Sequence, residues 1–118
     1  MISLSPAVRV FFARDPADMR RSFDGLVALV RDYLGHDPLS GYFFVFRNKN
    51  GDRVKLLYWD RTGLCIWYKR LEKAHFRFPA DGATGPSTEI TSADLLLILE
   101  GIDLGSARRE KRYARPGK

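Results

Sequence analysis

Cysteine is all but missing from this chain. Of 118 residues only Cys65 carries a thiol, so no disulfide can form within one molecule. The two histidines, His36 and His75, have no compact zinc-ligand spacing with that single cysteine. A Walker-type glycine-rich loop is absent, which sets aside an ATPase. No apolar run reaches the roughly 18 residues that a spanning helix needs. The N-terminus has no charged segment leading into a signal-type apolar core. These absences predict a cytoplasmic protein without cofactor, metal or membrane partner. One further gap concerns charge: residues 79–105 contain no Lys or Arg and five acids.

The other segments carry the basic charge. Residues 1–41 are neutral, residues 42–78 hold nine basic and three acidic side chains, and residues 106–118 hold six basic and one acidic. The net +6 of the whole chain is therefore polarised into two basic regions around an acidic one. Such polarity points to a polyanionic partner such as DNA, or to a basic tail folding back on the acidic segment.

Residues 42–78 also read as a three-stranded antiparallel meander. Tyr42–Arg47, Arg53–Trp59 and Leu64–Leu71 are rich in aromatic and β-branched residues and are separated by Asn48–Asp52 and Asp60–Gly63. Asn50-Gly51 predicts a type I′ turn, with positive φ at both residues. Side chains alternate across a strand. With Val54, Leu56 and Tyr58 in the core, the opposite face is expected to present Arg53, Lys55, Trp59, Trp67 and Lys69 together. Cations among flat rings suit nucleic acid, because lysine and arginine neutralise phosphates and aromatic faces stack on bases. The two tryptophans equally suit packing. The candidate DNA-binding residues are Arg47, Lys49, Arg53, Lys55, Trp59, Arg61, Trp67, Lys69, Arg70, Lys73 and Arg77 of the meander, with Arg108, Arg109, Lys111 and Arg112 of the tail.

Around the meander, Val8–Ala13 reads as a strand. Asp15 as N-cap, Pro16 at the first helical position, and Met19, Phe23, Leu26, Val27, Val30 and Leu34 at spacings of three and four predict a long amphipathic helix ending near Gly35. Ala80–Ser87 reads as a loop. Thr91 caps a second, short helix that ends at Gly101. Its five consecutive aliphatics exceed one helix face, so Leu95, Leu96, Ile98 and Leu99 are candidate partner-binding residues, for self-association or another protein. The expectation is an α+β fold: residues 1–105 as one domain with four or five mostly antiparallel strands, and residues 106–118 as a flexible basic tail.

A series of short motifs runs through this frame: Pro16-x-Asp18-Met19-Arg20, Asp24-Gly25-Leu26, Phe46-x-Asn48, Gly51-Asp52-Arg53-x-Lys55, Tyr58-Trp59-Asp60, Gly63, Lys69-Arg70-Leu71-Glu72, Phe76-x-Phe78-Pro79 and Leu99-Glu100-Gly101-Ile102. The series resembles the TnpB accessory proteins of IS-sixty-six type bacterial insertion sequences, the Orf2-like family, which is unrelated to the RNA-guided nucleases of the same name. The resemblance implies an accessory protein encoded beside a transposase, without an established catalytic role. It implies as partners the DNA ends of the element, the transposase and other proteins of the element. Asp18, Arg20, Asn48, Gly51, Asp52, Arg53, Lys55, Trp59, Asp60, Lys69, Arg70 and Glu72 carry over as pattern residues without assigned roles. Ala74 stands where relatives usually have glycine, and would be strained if that position were left-handed.

A metal-dependent nuclease is the enzymatic alternative, with Asp52, Asp60 and Glu72 as ligands. Acids at turns commonly serve the turn itself. The favoured reading is non-enzymatic: assistance to a transposase by binding DNA through the basic aromatic meander. The alternative is bridging to the transposase without DNA contact.

Overall fold

Two apolar runs show no polar alternation: VFFA at Val10–Ala13 and FFVF at the start of Phe43–Arg47. Because strand side chains point to alternate faces, such runs need cover on both sides. A computed structural model describes residues 4–78, 84–103 and 108–109 of the chain and shows that cover. Strand β1 (Val10–Ala13) leads through helix α1 (Phe23–Ala28), which continues as a π-helical stretch over Leu29–Leu34, into β2 (Phe43–Arg47). β3 (Arg53–Asp60) and β4 (Gly63–Arg70) complete the meander. β5 (Ser87–Ile90) and helix α2 (Ser92–Leu99) follow. Finally β6 (Ile102–Asp103) pairs antiparallel with β7 (Arg108–Arg109).

The main sheet has five strands in the order β4-β3-β2-β1-β5. β1 and β2 are parallel, as their helical crossover requires, and the other neighbours are antiparallel. The fold is therefore α+β with a mixed sheet, and the meander forms one side of it. β5 was not anticipated. Its Ser-Thr-Glu-Ile sequence has only one large apolar residue and pairs with β1 at the sheet's edge.

Each sheet face carries its own core. Phe11, Phe44, Phe46 and Leu57 pack under Leu26, Val30 and Leu34 of the first helix. Val10, Phe12, Val45, Val54 and Leu56 pack under Leu95, Ile98 and Leu99 of α2, with Phe76 closing that side. This placement turns three of the five α2 aliphatics into the core. Leu95, Ile98 and Leu99 are wholly buried, Leu96 is half-buried, and only Leu97, at 38% exposure, reaches the surface. The second helix otherwise matches its sequence signals: Thr91 Oγ1 accepts from the Asp94 N–H at 3.0 Å, and Gly101 is left-handed at φ 81°. No described helix is long and apolar enough to cross a membrane.

The first helix starts at Phe23, well after Pro16. Asp18 turns the chain instead: its carboxylate accepts from the Arg20 N–H at 2.9 Å, and the Arg21 N–H donates to Asp18 O at 3.0 Å. The carbonyls of Met19 and Arg21, which a helix would use internally, each accept from Lys55 Nζ at 2.7 Å. Lys55 is 7% exposed. Its ammonium also lies 4.7 Å from the centroid of the Tyr68 ring. A buried ammonium is tolerable only when its donors are met, and these three contacts meet them. On the opposite face Lys69 Nζ donates to Leu99 O, 2.9 Å away, at the end of α2. That is the helix terminus where a cation is stabilised by unsatisfied carbonyls and the dipole.

Lys55 is thus a fastening between the sheet and the first helical layer. Lys55→Met keeps most of the stem but leaves two carbonyls without their donor. It is expected to lower unfolding stability by about 3 kcal/mol in urea titration, and an unchanged midpoint would show that Lys55 is dispensable to the fold.

Candidate nucleic-acid interface

The two-residue turn at Arg61-Thr62 pairs Asp60 with Gly63, so every odd residue of β3 faces an even residue of β4. Arg53 therefore lies opposite Arg70, and Lys55 opposite Tyr68, while Trp67 and Lys69 sit on the other face with Leu56 and Val54. The expected face of Arg53, Lys55, Trp59, Trp67 and Lys69 does not exist. Lys55 and Lys69 are fastenings, Trp67 packs against the α2-side core, and Trp59 is half-buried. Arg47 is also structural: its Nη2 donates to Arg14 O at 2.8 Å, and its guanidinium lies 5.9 Å from the Phe12 ring centroid.

Four of the remaining cations gather at the end of the meander where β2 turns into β3. The organiser is Asn48. Its Oδ1 accepts from the Gly51 and Arg53 N–H groups at 2.9 and 3.0 Å, and its Nδ2 donates to Asp52 Oδ1 at 2.6 Å. The turn is a five-residue loop held by this side chain, with only Gly51 left-handed (φ 79°), so the type I′ expectation fails at Asn50. The chain after β4 then lies along the loop. Leu71 N–H donates to Asp52 O, Phe76 N–H to Gly51 O (both 2.8 Å), and His75 Nδ1 to Asn50 O at 2.7 Å. Ala74 is not left-handed, so the absence of glycine there costs nothing.

This packing brings Lys49, Arg53, Arg70 and Lys73 to one end of the sheet. Lys49 and Lys73 are exposed. Arg70 pairs with Glu72 through bonds of 3.2 and 3.0 Å, a half-exposed pair of small net worth. Arg77 is exposed nearby in sequence. Arg61, 95% exposed on its side chain and left-handed at φ 45°, sits at the far turn beside Asp60. Arg108 and Arg109 belong to β7, and Lys111 and Arg112 lie outside the described residues. Tyr68, absent from the expected set, is 47% exposed opposite Lys55, two residues before Arg70 on β4 and diagonal to Arg53. Its signal was the even-to-odd pairing that a two-residue turn imposes.

Asp52 lies just before the eight-residue β3 and Asp60 ends it, eight residues on and roughly 26 Å apart at strand rise. No group of three or more metal-ligating side chains occurs among the described residues. Asp52 instead serves its loop. The Asn48 amide, then its own backbone N–H and the nearby Arg53 and His75, hold its carboxyl below the ordinary range.

The comparisons with known proteins bear on this architecture as a whole. Residues 8–109 match the family model described as IS66 Orf2 like protein. The chain belongs to that family. Among curated proteins, this IS66 Orf2-like protein is 41% identical over 120 residues to "Uncharacterized protein y4jC" of Sinorhizobium fredii (strain NBRC 101917 / NGR234), covering 100% of this chain and 98% of the relative. It is 37% identical over 103 residues to "Uncharacterized protein y4hO" of the same strain, covering 87% and 88%. No solved structure matches it. Family membership associates the protein with an insertion sequence.

Two outcomes follow from the loop and turn geometry. Asn48→Ala removes three side-chain hydrogen bonds and is expected to destabilise the protein by about 2 kcal/mol, measured by thermal or urea unfolding; a change within error would show that the loop does not depend on Asn48. The second outcome concerns acid. Arg20, through its guanidinium and backbone N–H, lowers the Asp18 carboxyl from 3.8 to about 2, and Asp52 is lowered as well. Both folded values lie below the unfolded ones, so their stabilisation is complete above the ordinary carboxylate range and is lost as pH falls through the folded values. The urea midpoint should hold from pH 7 to about 5 and decline toward pH 2, and Asp18→Asn should make that decline shallower.

Proposed function

We propose that this IS66 Orf2-like protein is a non-catalytic accessory factor for transposition of its insertion sequence. It acts in the cytoplasm by binding DNA and assisting the transposase. The observation that carries the reading is the convergence of Lys49, Arg53, Arg70 and Lys73 at the loop end of the meander. Four cations on one rigid rim form a phosphate-contacting surface, and family membership supplies the insertion-sequence context. The bridging alternative draws on α2, where Leu96 and Leu97 alone of the five aliphatics remain near the surface.

The test is the salt dependence of duplex binding, with element ends and random sequence compared in the presence and absence of transposase. Changing Lys49, Arg53, Arg70 and Lys73 to alanine should reduce the slope of log affinity against log salt by about one unit per lost phosphate contact. Lys55 and Lys69 stay in place, so the fold survives. An unchanged slope in a folded variant would remove this rim as the binding surface, and transposase binding that persists with no DNA affinity would favour bridging.

A further inference from the structure

The loop end of the meander holds more than charge. Arg53, Tyr68, Arg70 and Glu72 line an open cleft of about 460 Å³, within the rough 300–1,000 Å³ range of small-molecule sites. Tyr68 forms its aromatic wall. The Lys55 ammonium sits over one side of that ring, 4.7 Å from the centroid, and the residue is 47% exposed. Arg53 Nη1 lies 3.5 Å from the Tyr68 hydroxyl, and Arg70 stands directly across from Arg53 in the strand register.

We propose that this cleft binds an unpaired base of single-stranded DNA. The base stacks on the outer face of Tyr68, while Arg53 and Arg70 contact the flanking phosphates. The inference rests on the DNA-binding reading and narrows it to one form of the ligand. In a duplex each base face is covered by its neighbours, so a tyrosine in a cleft meets a base face only where the strand is unpaired or the base is turned out. A patch built solely for duplex phosphates has no use for an exposed ring beside an opposed pair of arginines. Glu72 occupies Arg70 when no strand is bound, and a phosphate replaces it with an acceptor of the same sign.

The experiment compares the affinity of the full chain for oligothymidine of about 15 nucleotides, oligouridine of the same length, and a duplex of the same length, at about 50 mM salt. Tyr68→Leu keeps an apolar cover over Lys55 but cannot stack, and Tyr68→Phe keeps the ring. Unfolding midpoints are measured for both. The expected result is tighter binding of oligothymidine than of duplex, a roughly tenfold loss for oligothymidine in Tyr68→Leu, near-native binding in Tyr68→Phe, and little change for duplex. An equal loss for single strand and duplex, or no loss in a folded Tyr68→Leu, overturns the stacking site while leaving DNA binding intact. Preference for oligouridine would overturn DNA as the ligand. Failure of the wild-type chain to bind any of the three would overturn this inference together with the proposed function.

Discussion

The structure depends on two lysines that leave one hairpin in opposite directions. Lys55 reaches from β3 to the turn before the first helix, and Lys69 reaches from β4 to the last carbonyl of α2. The central strands are apolar on both faces and need a layer on each side. Hydrophobic burial supplies the attraction between layers but no direction. An ammonium bonded to named carbonyls fixes where each layer stops, because a misplaced layer would leave a buried charge or buried carbonyls without partners. The cations that look most like phosphate ligands in the sequence are therefore the ones least available for that purpose.

Division of labour among the basic residues follows from their positions along the strands. Lys55 and Lys69, inside β3 and β4, point toward the helical layers on opposite faces and are bonded to backbone carbonyls there. Residues at the loop end escape both helices and remain in solvent. Asn48 and Gly51 shape that end, and the segment from Leu71 to Phe76 braces it from the side. The cationic rim and its exposed tyrosine thus rest on a loop whose backbone groups are tied down, which lowers the ordering cost of meeting a ligand.

Much of this was legible in the residues, and the failures share a cause. The strands of the meander, β1 and the capped α2 follow local patterns of alternation, turn chemistry and capping, and local patterns are what a sequence displays. The faces of β3 and β4 depend on the number of residues in the intervening turn, where one residue more or less inverts every side chain. Reading Asp60 and Gly63 as a directly opposed pair would have separated Lys69 from Lys55. Cover on the second face was written in the unalternating VFFA and FFVF runs, but which element supplies it is a long-range matter. The late start of the first helix was hidden because Lys55, remote in sequence, takes carbonyls that local signals had assigned to the helix.

Lys69 gives the edges of the sheet an unexpected relation. β4 is the outermost strand on one side and β5 the outermost on the other, and α2 follows β5 directly in the chain. Lys69 then bonds the end of α2 back to β4, so one short helix is a strut between the two edges. Edge strands are ordinarily the first parts of a sheet to open by themselves. Here, peeling β4 away would strip α2 of its terminal cation, and lifting α2 would strand a lysine over an apolar face. The two margins of the sheet, separated in space by three strands, are therefore bound into a single unit of opening.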